Sequence, residues 1–289
     1  MGIIEQAKTD GLIFDGAMGT MLIFEGLKGG KASEFWNLEK PDVLRNIHKK
    51  YFDAGSDVVT TNTFGASSIK LARAGLGEQF SEINETAVRL AKSVAGKGKY
   101  VAGDIGPTGE ILQPYGTLSV SQAVDCFAEQ ADCLTRAGAD LLIIETMFDV
   151  NESILAIRGV RSVSSLPIFA TLTFKETKTG FATVMGNRVE ESMTALVEAG
   201  ASAVGANCTI GSDAMIRLAE RIRESVEVPV IAQPNAGKPE TKGADVIYPE
   251  DMEYFSDNIK KIKALGVEIV GGCCGTTPDY IRRIAEKIR

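Results

Sequence analysis

The stretch Ala137-Gly138-Ala139-Asp140-Leu141-Leu142-Ile143-Ile144-Glu145-Thr146 passes from the end of an amphipathic run straight into an unbroken apolar one. A run that is apolar on both faces suits a parallel strand covered by helices. The glycine ahead of it can adopt the left-handed conformation that stops a helix. The same junction recurs in Ala54-Gly55-Ser56-Asp57, Ala199-Gly200-Ala201-Ser202 and Leu265-Gly266-Val267-Glu268, each leading into another strand pattern. Working outward, strands are expected at Leu12–Gly16, Asp57–Asn62, Tyr100–Ile105, Leu141–Thr146, Ile168–Phe174, Ala203–Cys208, Val228–Asn235 and Glu268–Cys274. Helical patterns lie between them, for example Val120 to Ala137, Val189 to Ala199 and Asp213 to Val226. Eight strands alternating with helices are the count for an α/β fold of the (β/α)8 TIM-barrel type. A doubly wound open sheet would carry a glycine-rich dinucleotide loop after its first strand, and Asp15-Gly16-Ala17-Met18-Gly19-Thr20 lacks that spacing. No linker or charge block divides the chain, so residues 1–289 are expected to form one barrel domain.

Composition narrows the function. With 31 Lys and Arg against 38 Asp and Glu, the net charge of −7 argues against nucleic acid as a partner. No apolar run approaches the roughly 18 residues of a membrane span. The first ten residues lack the basic-then-apolar layout of a signal peptide, so a cytoplasmic location is expected. Five cysteines are too few for a disulfide framework in a chain of 289 residues, and the single histidine, His48, removes most histidine chemistry.

In a barrel the reactive groups sit at the C-terminal ends of the strands. Those positions here hold Asp15, Asn62, Asp104, Glu145, Thr173, Asn207 with Cys208, Asn235, and Cys273 with Cys274. One Asp or Asn at a strand end commonly just caps a helix or closes a turn. A polar group at nearly every strand end marks the rim as the active site. Cys208, Cys273 and Cys274 supply three soft ligands for Zn²⁺ and leave a fourth tetrahedral position open, as in catalytic zinc sites. Neighbouring strand residues point opposite ways, but Gly271, Gly272 and Gly275 give the backbone freedom to turn both thiols toward one ion. The bland alternative for any single cysteine is core packing. That is the expected role of Cys126 and Cys133, which are roughly 10 Å apart along one helix. His48, beside Lys49 and Lys50, is expected at a solvated or interface position.

A trithiolate zinc is electron-rich and a poor source of hydroxide. It suits a substrate thiol, because coordination removes the thiol proton. Alkyl transfer to a thiol is the reaction class that follows. Asp15 and Glu145 can hold an ammonium group, and the N–H groups of Gly16 to Thr20 a carboxylate, so an amino-acid thiol fits.

Taken together, Asp15-Gly16-Ala17-Met18-Gly19-Thr20, Thr61-Asn62-Thr63-Phe64, Gly103-Asp104-Ile105-Gly106-Pro107-Thr108-Gly109, Asn207-Cys208 and Gly271-Gly272-Cys273-Cys274-Gly275 resemble the zinc-dependent homocysteine S-methyltransferase family over nearly the whole chain. The resemblance implies one zinc on Cys208, Cys273 and Cys274, homocysteine sulfur at the open position, and methionine as product. It also implies that Asp15, Gly16 and Glu145 handle the amino-acid end. Further substrate contacts are expected from Ala17, Thr20, Asn62, Asp104, Asn207 and Asn235.

Family members take methyl from methylcobalamin, betaine, S-methylmethionine or S-adenosylmethionine. Pro234-Asn235-Ala236-Gly237-Lys238-Pro239 and Gly106-Pro107-Thr108-Gly109 look most like the homocysteine-binding module of the cobalamin-dependent methionine synthases. This implies methylcobalamin on a separate corrinoid protein or domain as donor. Trp36 offers a cation–π surface to a small cationic donor instead. Two rivals are a Schiff-base barrel enzyme using Lys175 and a non-catalytic zinc-binding or corrinoid-docking module.

Overall fold

The computed structural model describes residues 2–28, 30, 32–178, 180–242 and 245–289. Eight parallel strands form one sheet: β1 (Leu12–Ile13), β2 (Val58–Thr60), β3 (Tyr100–Ile105), β4 (Leu141–Met147), β5 (Ile168–Leu172), β6 (Ala203–Asn207), β7 (Val230–Gln233) and β8 (Ile269–Val270). From β2 to β8 each strand pairs with its sequence neighbour, and β8 pairs with β1. The seam between β1 and β2 is closed by a parallel bridge from Phe14 to Val58. There the Asp57 N–H also donates to the Ile13 carbonyl (2.7 Å) and the Ile13 N–H to the Asp57 carboxylate (2.9 Å). The open-sheet alternative is thereby excluded.

The two-faced apolar runs have a direct structural reason. Leu141 and Ile143 point into the barrel with Leu12, Phe14, Val58, Ala102, Phe169, Ala203, Ile231 and Ile269. Leu142 and Ile144 point outward into the larger layer between strands and helices. Successive strand residues alternate between the two cores. The helix Ile3–Thr9 closes the bottom of the barrel, with Ile3 and Ala7 packed on the inner core.

Gly55, Gly138, Gly200 and Gly266 have φ of +111°, +98°, +110° and +86°, confirming the repeated helix stop. The helices observed at Val120–Arg136, Val189–Glu198 and Ser212–Ser225 match the periodic patterns. Six strands are shorter than expected at their C-terminal ends, most of all β8, which stops at Val270 rather than Cys274, whereas β3 ends at Ile105 as expected and β4 runs one residue further, to Met147. Two antiparallel hairpins were not expected, Lys175–Thr177 with Gly180–Ala182 and Glu240–Lys242 with Asp245–Ile247, in the segments after β5 and β7. His48 is a correction: it is buried rather than solvated, and neither ring nitrogen has a hydrogen-bond partner among the described residues. Cys126 and Cys133 are buried, as packing residues should be.

Candidate active site

β6, β7 and β8 stop short of their expected ends where the chain turns at the mouth of the barrel. After β6, Cys208 and Thr209 take φ of +60° and +67°, a conformation that costs a non-glycine residue about 1–3 kcal/mol and recurs at functional sites. The Cys208 N–H donates to the Gln233 carbonyl (3.0 Å), tying this turn to β7. After β8, the Cys273 N–H donates to the Pro234 carbonyl (2.8 Å), and the Cys274 carbonyl accepts from the Ala236 N–H (2.9 Å). Gly275 turns the chain at φ +85°, where a Cβ would come within 2.5 Å of Tyr248. Its N–H donates to Thr20 Oγ1 (3.1 Å).

These turns bring three thiols from two distant segments together. The Sγ atoms of Cys208, Cys273 and Cys274 all lie within 4.8 Å of one another, and those of Cys208 and Cys274 are 3.9 Å apart. Tetrahedral Zn–S bonds near 2.3 Å place neighbouring sulfurs about 3.8 Å apart, so the cluster fits the ion. The three thiols oppose one another's ionisation. Hydrogen bonds from Cys208 and Cys273 pull Cys274 down to about 3, while hydrogen bonds to Cys208 and Cys274, with burial, raise Cys273 well above a free thiol. A divalent cation is what would let all three ionise at once. Asn235 precedes the Ala236 that pins Cys274, and its buried Oδ1 is an acceptor without a donor among the described residues.

The thiols line one wall of a cavity of about 350 Å³ at the mouth of the barrel. Asp15, Asp104 and Glu145 line it too, together with Gly16, Ala17, Thr20 and Asn62. Asp15 is held by the Thr60 N–H (2.8 Å), and burial raises its carboxyl well above the usual range. Burial likewise raises Asp104, with Glu145 and Asp15 adding repulsion, and Asp104 Oδ1 has no partner among the described residues. Glu145 is pushed up to about 7 by burial and by the charge on Cys274. Closely spaced carboxylates without a cation resist ionising together, and a substrate ammonium would relieve them.

Some expected contacts are already engaged within the protein. The Ala17 N–H donates to the Thr276 carbonyl (3.1 Å). Asn62 Nδ2 donates to the Ser33 carbonyl (2.9 Å) and to Asn37 Oδ1 (3.0 Å). Asn207 and Asn235 are buried and are not among the residues that line the cavity. Lys175 is exposed on its hairpin and does not line the cavity, which leaves the Schiff-base reading without a site. Trp36 is buried, and its ring already carries the Lys40 ammonium 3.9 Å from its centroid.

Glu34, Phe64, Thr146 and Gln233 also line the cavity and were not singled out by sequence. Glu34 is buried and accepts the Gly65 N–H (2.7 Å), a pairing across loops that no local pattern signals. Tyr248, in the segment after β7, was missed as well; its ring packs against Gly275, the residue after Cys274.

A family model described as homocysteine S-methyltransferase matches residues 12–288. Methionine synthase of Mycobacterium leprae is 31% identical over 297 residues, covering 96% of this chain and 24% of that protein. Methionine synthase of Mycobacterium tuberculosis matches with the same identity and coverage. The chain thus spans about a quarter of the length of these curated relatives. Among solved structures, the metallated form of the homocysteine methyltransferase MmuM from Escherichia coli superposes with a TM-score of 0.81 at 24% identity, over 96% of each chain. A methyltransferase from Methanosarcina mazei superposes with a TM-score of 0.65 at 9% identity, over 99% of this chain and 96% of that one.

Proposed function

The chain belongs to the homocysteine S-methyltransferase family, and on that premise we propose that it binds zinc through Cys208, Cys273 and Cys274 and methylates homocysteine to methionine. The observation that carries this is a single cavity lined both by the trio of thiols and by Asp15, Asp104 and Glu145. When bound, zinc supplies the positive charge that keeps a substrate thiol deprotonated near neutral pH. Asp15 and Glu145 attract the amino-acid ammonium and so orient the substrate with its sulfur toward the cysteines. Ionised carboxylates there also gain a partner for charge that burial otherwise disfavours. Methylation is an in-line displacement: a sulfur lone pair forms the new S–CH3 bond as the donor's bond to methyl breaks. That requires the methyl group held roughly 3 Å from sulfur.

The donor we favour is methylcobalamin carried by a separate corrinoid protein or domain. The methionine synthases similar to this chain are far longer than it. Ile111 and Tyr115 after β3, Val184 and Met185 after β5, and Val246 and Ile247 after β7 are exposed apolar side chains. All lie on segments that follow the C-terminal strand ends, where a protein-borne donor would approach, and exposed apolar groups on one face suit such an interface. A cationic donor is the second reading. Its support is a lining that includes Asp15, Glu34, Asp104 and Glu145 and, among the described residues, no Lys, Arg or His. Homocysteine assayed with methylcobalamin, betaine, S-methylmethionine and S-adenosylmethionine separates the two. Methionine from methylcobalamin supports the first, methionine only from an onium donor supports the second, and zinc bound without turnover on any donor favours a docking module.

A further inference from the structure

We propose that Asn207 is a positioning residue, not a substrate ligand, and that its amide locks Glu145, Thr146 and Cys273 into one unit. The inference rests on the functional reading above and deepens it. Asn207 is 1% exposed, at the end of β6 immediately before Cys208. Its Oδ1 accepts the Thr146 N–H (2.9 Å) and the Thr171 hydroxyl (2.8 Å). Its Nδ2 donates to Thr146 Oγ1 (2.7 Å) and to Glu145 Oε2 (3.2 Å), and lies 3.9 Å from Cys273 Sγ. A side-chain amide has two lone pairs and two N–H groups. Here every one of them is already matched inside the protein, so nothing is left over for a ligand.

What the amide holds is unusual. Thr146 has φ +59°, left-handed for a β-branched residue, and the register of β4 against β5 shifts between Ile144 and Met147. Such a backbone persists only where its surroundings over-determine it. Asn207 grips Thr146 at both its N–H and its hydroxyl, and the resulting turn places Glu145 and Thr146 in the cavity lining. The same Nδ2 group reaches the carboxylate that would meet the ammonium and the sulfur that would meet the metal. One amide therefore fixes the distance between the two ends of the substrate site.

The test is a double-mutant cycle of Asn207→Ala and Thr146→Gly, read on three observables. In the metal-free protein, Asn207→Ala should lower the melting temperature, and Thr146→Gly should recover most of that loss because glycine tolerates the left-handed turn. In the Co²⁺-substituted protein, Asn207→Ala should shift the thiolate-to-metal charge-transfer band while Thr146→Gly alone leaves it in place. With homocysteine, Asn207→Ala should raise KM by about tenfold or more with a smaller change in kcat, and adding Thr146→Gly should not restore KM. An unchanged cobalt spectrum and an unchanged KM in Asn207→Ala would overturn the proposal, leaving the residue a plain core amide. If the wild-type protein neither binds metal nor methylates homocysteine, the functional reading fails instead. Additive melting temperatures in the metal-free cycle would then still contradict the lock, because they report on residues 207 and 146 alone.

Discussion

Cys208 and Cys274 place their sulfur atoms 3.9 Å apart although 66 residues separate them in the chain. Each lies on the turn that follows its strand, and the two turns are pinned to β7 and the residues directly after it, at the carbonyls of Gln233 and Pro234 and the N–H of Ala236. The thiol cluster is thus a product of barrel closure, assembled where β6, β7 and β8 run side by side.

Removing the amino-end carboxylate should weaken substrate binding more than chemistry. Glu145→Gln keeps the shape and the hydrogen bond from Asn207 but loses the charge that an ammonium would meet. Homocysteine KM should rise about tenfold or more, with kcat less affected. Steady-state kinetics at saturating donor decide it; an unchanged KM would remove Glu145 from the amino-acid end.

Gly16 admits no side chain. A Cβ there would lie 2.6 Å from Thr276 Oγ1 and 3.1 Å from the Tyr51 ring, and Thr276 caps the Cys273 carbonyl through that hydroxyl (2.6 Å). Gly16→Ala should therefore destabilise the protein by about 1–3 kcal/mol and also lower metal affinity. Chemical denaturation together with zinc competition against a chromophoric chelator measures both. Wild-type values in the variant would show that the wall yields without cost.

His48 makes the fold sensitive to acid. Burial lowers its pKa from 6.5 to about 4. Between those values the unfolded chain binds a proton that the folded chain does not, so stability falls as pH drops from about 6.5 towards 4. The loss reaches about 3 kcal/mol at the lower end. His48→Leu should flatten this part of the stability profile. Denaturant melts from pH 7 to pH 4 give the slope, and parallel profiles for the two proteins would contradict the assignment.

What the sequence revealed and what it hid divide along the range of the interactions. The glycine after each helix and the two-faced run at Leu141–Ile144 report on neighbours a few residues away, so the barrel was legible. The three zinc-type cysteines stood out because glycines flank the adjacent pair. Glu34 was invisible because its place depends on Gly65 in another loop, and the hydrogen bonds of Asn207 to Thr146 and Thr171 were invisible because those partners lie in β4 and β5. His48 sits among lysines in sequence, yet the helix Pro41–Asp53 turns it inward with Leu44, Ile47 and Tyr51. The early strand ends were hidden for the same reason, since positive φ at Cys208 and Thr209 is imposed by contacts with β7 rather than by local propensity.

On the proposed reading, three thiolates of this chain hold one zinc and leave a position for the substrate sulfur. X-ray absorption at the zinc edge of the purified protein, without and with homocysteine, tests it most directly. Three sulfur neighbours at about 2.3 Å, rising to four when homocysteine is added, is the predicted result. Full zinc occupancy in both Cys208→Ser and Cys274→Ser, or a sulfur count unchanged by homocysteine, would contradict it.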